Sequence, residues 1–199
     1  MVIVVDDDRA VREALVDLFR SMSMAVRAFG SVEDFRRFRR PDVPACLLLD
    51  VRLPGLSGLE LQRELAAAGE PLPIVFLTAF GDIQMAVRAI KAGAQEFITK
   101  PFQEQELLEA VGRALERATM LRSRRTEGAA LRKRWEGLTS REREVMERLV
   151  HGRRNKEIAR ELGRSAVTIK AHRRHILEKM GTKELTDLVR MSEQLSRSE

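Results

Sequence analysis

Five short apolar runs separated by amphipathic segments constrain this chain most. The runs are Val2 to Val5, Met24 to Phe29, Ala45 to Leu49, Ile74 to Leu77 and Glu96 to Thr99. Elsewhere apolar residues recur every three or four positions: Val11, Ala14, Leu15, Leu18, Phe19 and Met22; Leu61, Leu65 and Ala68; Ile83, Ala86, Val87 and Ile90; Leu107, Leu108, Val111 and Leu115. That spacing puts each set on one face of a helix. Strands alternating with helices imply parallel pairing through right-handed crossovers, and so a doubly wound α/β sheet.

The third run carries the chemistry. Ala45-Cys-Leu-Leu-Leu-Asp50 ends abruptly on a carboxylate and then on Pro54-Gly55. It reads as a strand covered on both faces that delivers Asp50 to its carboxyl end, where open α/β sheets place their ligands. Asp6, Asp7 and Asp8 directly follow the first run and emerge at the same edge if strands one and three are neighbours. Carboxylates gathered there repel unless a hard cation is bound, and Mg2+ takes oxygen ligands while keeping several waters. Asp6 and Asp7 are assigned to the metal, and Asp8 to capping the next helix. The fourth and fifth runs end in Leu77-Thr78-Ala79 and Thr99-Lys100-Pro101. A carboxylate nucleophile, a metal, a hydroxyl and a compact cation are the groups phosphoryl transfer needs.

Charge divides the chain. Residues 1–118 carry 15 Lys and Arg against 18 Asp and Glu, whereas residues 119–199 carry 21 against 12. The basic half suggests a polyanion partner, because phosphate neutralisation supplies most non-specific affinity for nucleic acid. The basic run Arg36-Arg37-Phe38-Arg39-Arg40 reads instead as a solvated helix end. The single cysteine, Cys46, excludes an internal disulfide and reads as a buried small hydrophobe, which fits a reducing cytoplasm. No apolar run approaches the roughly 18 residues of a membrane span. The opening Met1-Val-Ile-Val-Val5 lacks the charged flank of a secretory signal. A soluble, cytoplasmic chain without membrane contact is expected.

Residues 119–136 offer few buried-looking positions and read as a linker, partly a helix extension, between domains at 1–118 and 137–199. Beyond it everything reads helical. Leu138-Thr139-Ser-Arg-Glu142 is a capping box, with Val145, Leu149 and Val150 giving that helix an apolar face. Asn155 caps a second helix that stops at Gly163. Ser165 caps a third running to about Met180 and stopped by Gly181, and Thr182 opens a fourth. Two short helices around a tight glycine-containing turn form a helix-turn-helix. On the third helix Val167, Lys170, Ala171 and Arg174 share one face, while Ile169, Ile176, Leu177 and Met180 lie toward the other. A basic front on an apolar back suits the major groove.

Val5-Asp6-Asp7-Asp8, Leu49-Asp50-Val-Arg-Leu-Pro-Gly55, Leu77-Thr78-Ala79 and Lys100-Pro101-Phe102 resemble the signature of two-component receiver domains. Leu138-Thr-Ser-Arg-Glu-Arg-Glu-Val, Asn155-Lys-Glu-Ile-Ala-Arg-Glu-Leu-Gly163 and Thr168-Ile-Lys-Ala-His172 resemble LuxR-type DNA-binding domains. In this order they resemble the NarL/FixJ class of response regulators, and the stretch from Ala79 to Gly93 leans toward its FixJ-like branch. The resemblance implies a five-stranded, flavodoxin-like receiver joined to an all-α, four-helix LuxR-type domain. It implies Asp50 as phospho-acceptor, and Asp6, Asp7, Asp50 and the main-chain carbonyl of Arg52 as Mg2+ ligands. Thr78 and Phe97 match the switch positions and Lys100 the phosphate-pairing lysine, with a cis bond before Pro101. Phe97 excludes a phenolic hydrogen bond that Tyr would supply.

The same resemblance implies a cognate histidine kinase, homodimerisation on phosphorylation through 82–99, and double-stranded promoter DNA as target, with RNA polymerase a further partner. Lys170, Ala171 and Arg174 are the base-reading candidates; Thr168, His172 and Arg173 reach the backbone, and His172 equally suits a packed position. The side chains of Arg52 and Phe80 are placed to influence the lifetime of phospho-Asp50. The first strand is short for the family, so weaker edge contacts are expected there. A phosphohydrolase reading lacks an evident substrate pocket, which leaves no enzyme beyond self-phosphorylation and self-dephosphorylation. The alternative is a phosphorylation-independent regulator whose receiver serves as a dimerisation module.

Overall fold

The computed structural model describes residues 1–79 and 81–196. The chain divides into two compact units, Met1–Ser123 and Arg124–Glu199. The first contains a five-stranded parallel sheet, β1 (Val2–Val5), β2 (Val26–Phe29), β3 (Cys46–Asp50), β4 (Ile74–Thr78) and β5 (Glu96–Thr99), in the order β2-β1-β3-β4-β5. Helices α1 (Arg9–Ser21), α2 (Val32–Arg37), α3 (Gly58–Ala67) and α4 (Ile83–Lys91) connect successive strands, and α5 (Glu104–Glu136) follows β5. Every residue of β1, β3 and β4 is buried. Two apolar clusters account for that: Val4, Phe19, Leu48, Leu77, Leu107 and Val111 on one side, and Ile3, Phe35, Leu47, Leu49, Leu61 and Phe76 on the other. Alternate strand residues feed opposite clusters, as the pleat requires.

Register sets the functional edge. Val5 pairs with Leu49, Asp50 with Leu77, and Thr78 with Thr99. Asp6, Asp50, Thr78 and Lys100 therefore leave the sheet at one edge. The order reverses between β1 and β3, and such a switch point opens a crevice beyond the strand ends.

Several expectations change in detail. β2 begins at Val26 rather than Met24, because the Met24 N–H is taken by the Phe19 carbonyl (2.9 Å) as α1 closes. β1 is short but pairs along its whole length with both neighbours, and the Met1 ammonium donates to the Pro44 carbonyl at 2.8 Å. Ala68, expected on the apolar face of α3, is its exposed C-cap. The basic run at the end of α2 is not simply solvated: Arg36 pairs with Glu64, Arg40 with Glu70, and Phe38 packs on Phe29 with centroids 5.2 Å apart. Residues 119–136, expected as a linker that is partly a helix extension, are helical throughout as part of α5. Their Arg, Glu, Ala and Leu content favours helix, and Leu131 is buried with Trp135 packed beside it.

The second unit contains α6 (Ser140–Val150), α7 (Asn155–Glu161), α8 (Ala166–Met180) and α9 (Leu185–Ser196). Val145, Leu149, Ile158, Ile169, Ile176, Met180 and Leu188 form its core. Thr139 and Glu142 make the expected capping box on α6. Ser165 caps α8, which Gly181 ends in the left-handed conformation at φ 73°. For α7 the cap falls on Arg154, one residue before Asn155, because the Glu157 carboxylate accepts the Arg154 N–H at 2.8 Å. Among the described residues no helix is long and apolar enough to cross a membrane.

Candidate functional site

Asp6 directly follows β1 and Asp50 ends β3, and the turns there aim both carboxylates into the crevice. Asp6 Oδ1 accepts the Asp8 N–H at 2.9 Å, while Asp8 itself caps α1 by accepting from Ala10 and Val11. Asp50 Oδ1 accepts the Arg52 N–H at 3.0 Å. The remaining oxygens meet one cation: Lys100 Nζ lies 2.5 Å from Asp6 Oδ2 and 2.8 Å from Asp50 Oδ2. The Lys100–Pro101 bond that precedes the next turn is cis. Asp6 is 1% exposed and Asp50 8% exposed, whereas Asp7 faces solvent.

Burial pushes the Asp6 carboxyl above its ordinary range, with Lys100 and the Asp8 N–H opposing that shift. Burial alone would lower Lys100, yet its bonds to Asp50 and Asp6 leave its pKa raised. The ammonium is thus held charged between two carboxylates. Oxygens of Asp6, Asp7 and Asp50 all lie within 4.8 Å of one another. An all-carboxylate set with one member open to water suits a hard, partly hydrated cation such as Mg2+.

Thr78 is fully buried at the end of β4, and its carbonyl accepts the Lys100 N–H at 2.8 Å. Phe97 is half-buried on β5, 6.0 Å from the Phe76 ring. Asp6, Asp7, Asp50 and Lys100 are brought into one pocket by the distances above. Thr78 joins them at the sheet edge, and Phe97 lies one strand further out. Phe80 falls outside the described residues.

Two contributors belong to none of the motifs read from the sequence. A Cβ on Gly58, the first residue of α3, would lie 2.2 Å from the Asp50 carbonyl oxygen. Glycine there lets α3 abut the acceptor strand, and the Gly58 N–H donates to the Val51 carbonyl at 2.9 Å. Its only sequence signal is a small residue directly after the Ser57 cap. Arg12 donates to the Asp6 carbonyl at 2.7 Å and so braces the acidic turn from α1.

The apolar spacing of α4 does not say which way its face turns. Its apolar residues Ile83, Val87 and Ile90 face solvent, Ile83 being 84% exposed, while Ala89 makes the buried contact. In the second unit, α8 turns Val167, Lys170, Ala171 and Arg174 outward, and Val167 is 78% exposed. Thr168, His172 and Arg173 are half-buried on its flank. Lys179 reaches from α8 to the buried Glu142 of α6 at 2.7 Å and ties the two helices together.

A doubly wound sheet with a carboxylate pocket and lysine at its switch point, carried in one chain with a helix-turn-helix unit, defines a response-regulator architecture. Comparison with known families agrees. Residues 2–112 match the response regulator receiver domain, and residues 136–192 match the bacterial regulatory proteins of the luxR family. Nodulation protein W of Bradyrhizobium diazoefficiens is 48% identical over 195 residues, covering 98% of this chain and 86% of that protein. The transcriptional regulatory protein FixJ of Azorhizobium caulinodans is 40% identical over 189 residues, covering 95% and 90%. The solved structure of the response regulator StyR matches with a TM-score of 0.87 and 46% identity, covering 97% of this chain and 98% of that one. The chain belongs to the two-component response regulators of the NarL/FixJ class, in the FixJ-like branch. It is a transcription regulator with a LuxR-type DNA-binding domain, and receiver domains of this family bind Mg2+ at an acidic pocket of this kind.

Proposed function

We propose that Asp50 accepts a phosphoryl group from the phosphohistidine of a sensor kinase, and that this transfer controls binding to promoter DNA. The Asp50 carboxylate attacks phosphorus in line. A P–O bond forms as the P–N bond breaks, and its electron pair returns to the kinase imidazole. Lys100 neutralises charge on the phosphoryl oxygens. Asp6, Asp7, Asp50 and the main-chain carbonyl of Arg52 would hold Mg2+, which when bound supplies Lewis-acid neutralisation of those oxygens. The observation that carries this reading is the Lys100 ammonium shared between Asp6 and Asp50, at 2.5 and 2.8 Å.

The Thr78 hydroxyl then moves toward the transferred group, and Phe97 packs inward behind it. This shifts a population between two arrangements of the 82–99 surface. The outward Ile83, Val87 and Ile90 support that surface as the place where two copies pair, since an exposed apolar stripe gains by being covered. Pairing presents two α8 faces to DNA half-sites about one helical turn apart. Val167, Lys170, Ala171 and Arg174 meet base edges, Thr168, His172 and Arg173 meet the backbone, and the bound dimer engages RNA polymerase. The chain's chemistry is confined to gaining and losing its own phosphoryl group.

Promoter affinity measured with and without a small phosphodonor tests this reading. A rise on phosphorylation is the expected result. Equal affinities would favour a receiver that acts as a phosphorylation-independent dimerisation module.

A further inference from the structure

Gln62 is 3% exposed and takes no part in the pocket chemistry. It lies one turn after Gly58 on α3, on the same helix face. Gly58 abuts the Asp50 carbonyl so closely that no Cβ fits between them. At the other end, Gln62 Nε2 donates to the Ala89 carbonyl at 3.0 Å. Ala89 is the buried residue of α4, the helix that turns Ile83, Val87 and Ile90 to solvent. One amide thus joins the helix behind the acceptor to the helix with the exposed apolar stripe.

The amide is also incompletely used. Gln62 Oε1 is enclosed and has no hydrogen-bond partner among the described residues. Exchanging the two ends of the amide would set its oxygen against the Ala89 carbonyl, so the donor orientation follows from chemistry. Burying an amide with one end unpaired costs stability that a leucine or methionine would not. Gln62 also lines a cavity of about 210 Å³ shared with Gln95 and Arg117, both of which carry N–H donors.

We propose that Gln62 is a positioning residue that latches α4 in its resting arrangement and passes changes at Asp50 to it through α3. The inference rests on Asp50 being the phospho-acceptor and on the 82–99 surface pairing two copies. Gly58 supplies the stiff contact at one end, and the Gln62 to Ala89 bond supplies the releasable one at the other. Loss of the bond frees α4 without any phosphoryl group.

Sedimentation of the full chain tests this with Gln62→Met, which keeps volume but cannot donate, and Gln62→Glu, which sets a carboxylate against the Ala89 carbonyl. Both variants are expected to raise dimerisation of the unphosphorylated chain about fivefold, the size of one lost hydrogen bond, and to leave the Asp50 labelling rate within about twofold. Unchanged dimerisation in folded variants would reduce the bond to a packing detail and overturn the proposal. Hydrogen exchange of the unsubstituted chain gives a readout independent of the variants, with α4 amides losing protection on phosphorylation. Unaltered α4 protection would overturn the latch, and an absent dimer shift in the unsubstituted chain would overturn the pairing reading together with it.

Discussion

Lys100 Nζ lies 2.8 Å from Asp50 Oδ2, joining residues fifty positions apart in the chain. The same ammonium holds the buried Asp6, so one cation compensates two carboxylates. With Lys100 only partly exposed, Lys100→Met leaves both acids uncompensated and is expected to lower stability by about 1 to 3 kcal/mol in the metal-free chain. Thermal unfolding with excess Mg2+ should recover part of the loss. No destabilisation would show that solvent already screens the pair.

Asp50→Asn removes the nucleophile and keeps the shape. Labelling by a small phosphodonor such as acetyl phosphate is expected to vanish, because an amide oxygen does not yield a stable acyl phosphate. Stoichiometric labelling of this variant, read by mass spectrometry, would move the acceptor elsewhere.

Gly58→Ala provides a test with a reversed sign. Alanine in a helix ordinarily gains about 0.5 to 1 kcal/mol over glycine. Here the new Cβ would stand 2.2 Å from the Asp50 carbonyl oxygen, so backbone must shift. An overpacking loss of about 1 to 3 kcal/mol is expected instead, with slower labelling of Asp50. A stabilised variant with normal labelling would mean that α3 is free to move away.

What was legible in the sequence was what local chemistry decides. An apolar run ending on a carboxylate located Asp50, and Ser165 with Gly181 located both ends of α8. Gly58, Arg12 and Gln62 were not legible, because each matters only through a neighbour far along the chain. The outward turn of Ile83, Val87 and Ile90 was hidden for another reason: periodicity finds an apolar face but does not say which side of the helix meets the sheet. Asn155 is a good capping residue, yet Glu157 reaches back to Arg154 instead.

Glu142 predicts a pH dependence in the DNA-binding unit. Burial would raise its pKa, but Lys179 and the Thr139 backbone and hydroxyl outweigh that, and the pKa is lowered from the ordinary 4.5. A group depressed on folding stabilises above its unfolded pKa and loses that contribution as pH falls through the folded one. Stability is therefore expected to decline below about pH 4.5, and Glu142→Gln should flatten that decline. At pH 7 the same substitution should cost about 1 kcal/mol through the weakened capping box. A parallel decline in the variant, followed by thermal unfolding across pH, would exclude Glu142 as its source.

The exposed α8 face makes the sharpest statement about DNA. Lys170 and Arg174 stand one turn apart on the solvent side, and Ile169 and Ile176 anchor the opposite side in the core. Truncation to alanine should leave folding intact, because neither long side chain is buried. If either residue reads a base bidentately, its loss should cost about 1 to 3 kcal/mol of operator affinity and relax specificity at one position. A phosphate contact would instead weaken all sequences alike and reduce the salt slope by about one. Binding isotherms on operator and scrambled duplexes at two salt concentrations separate these outcomes, and unchanged affinity on both would remove that residue from the interface.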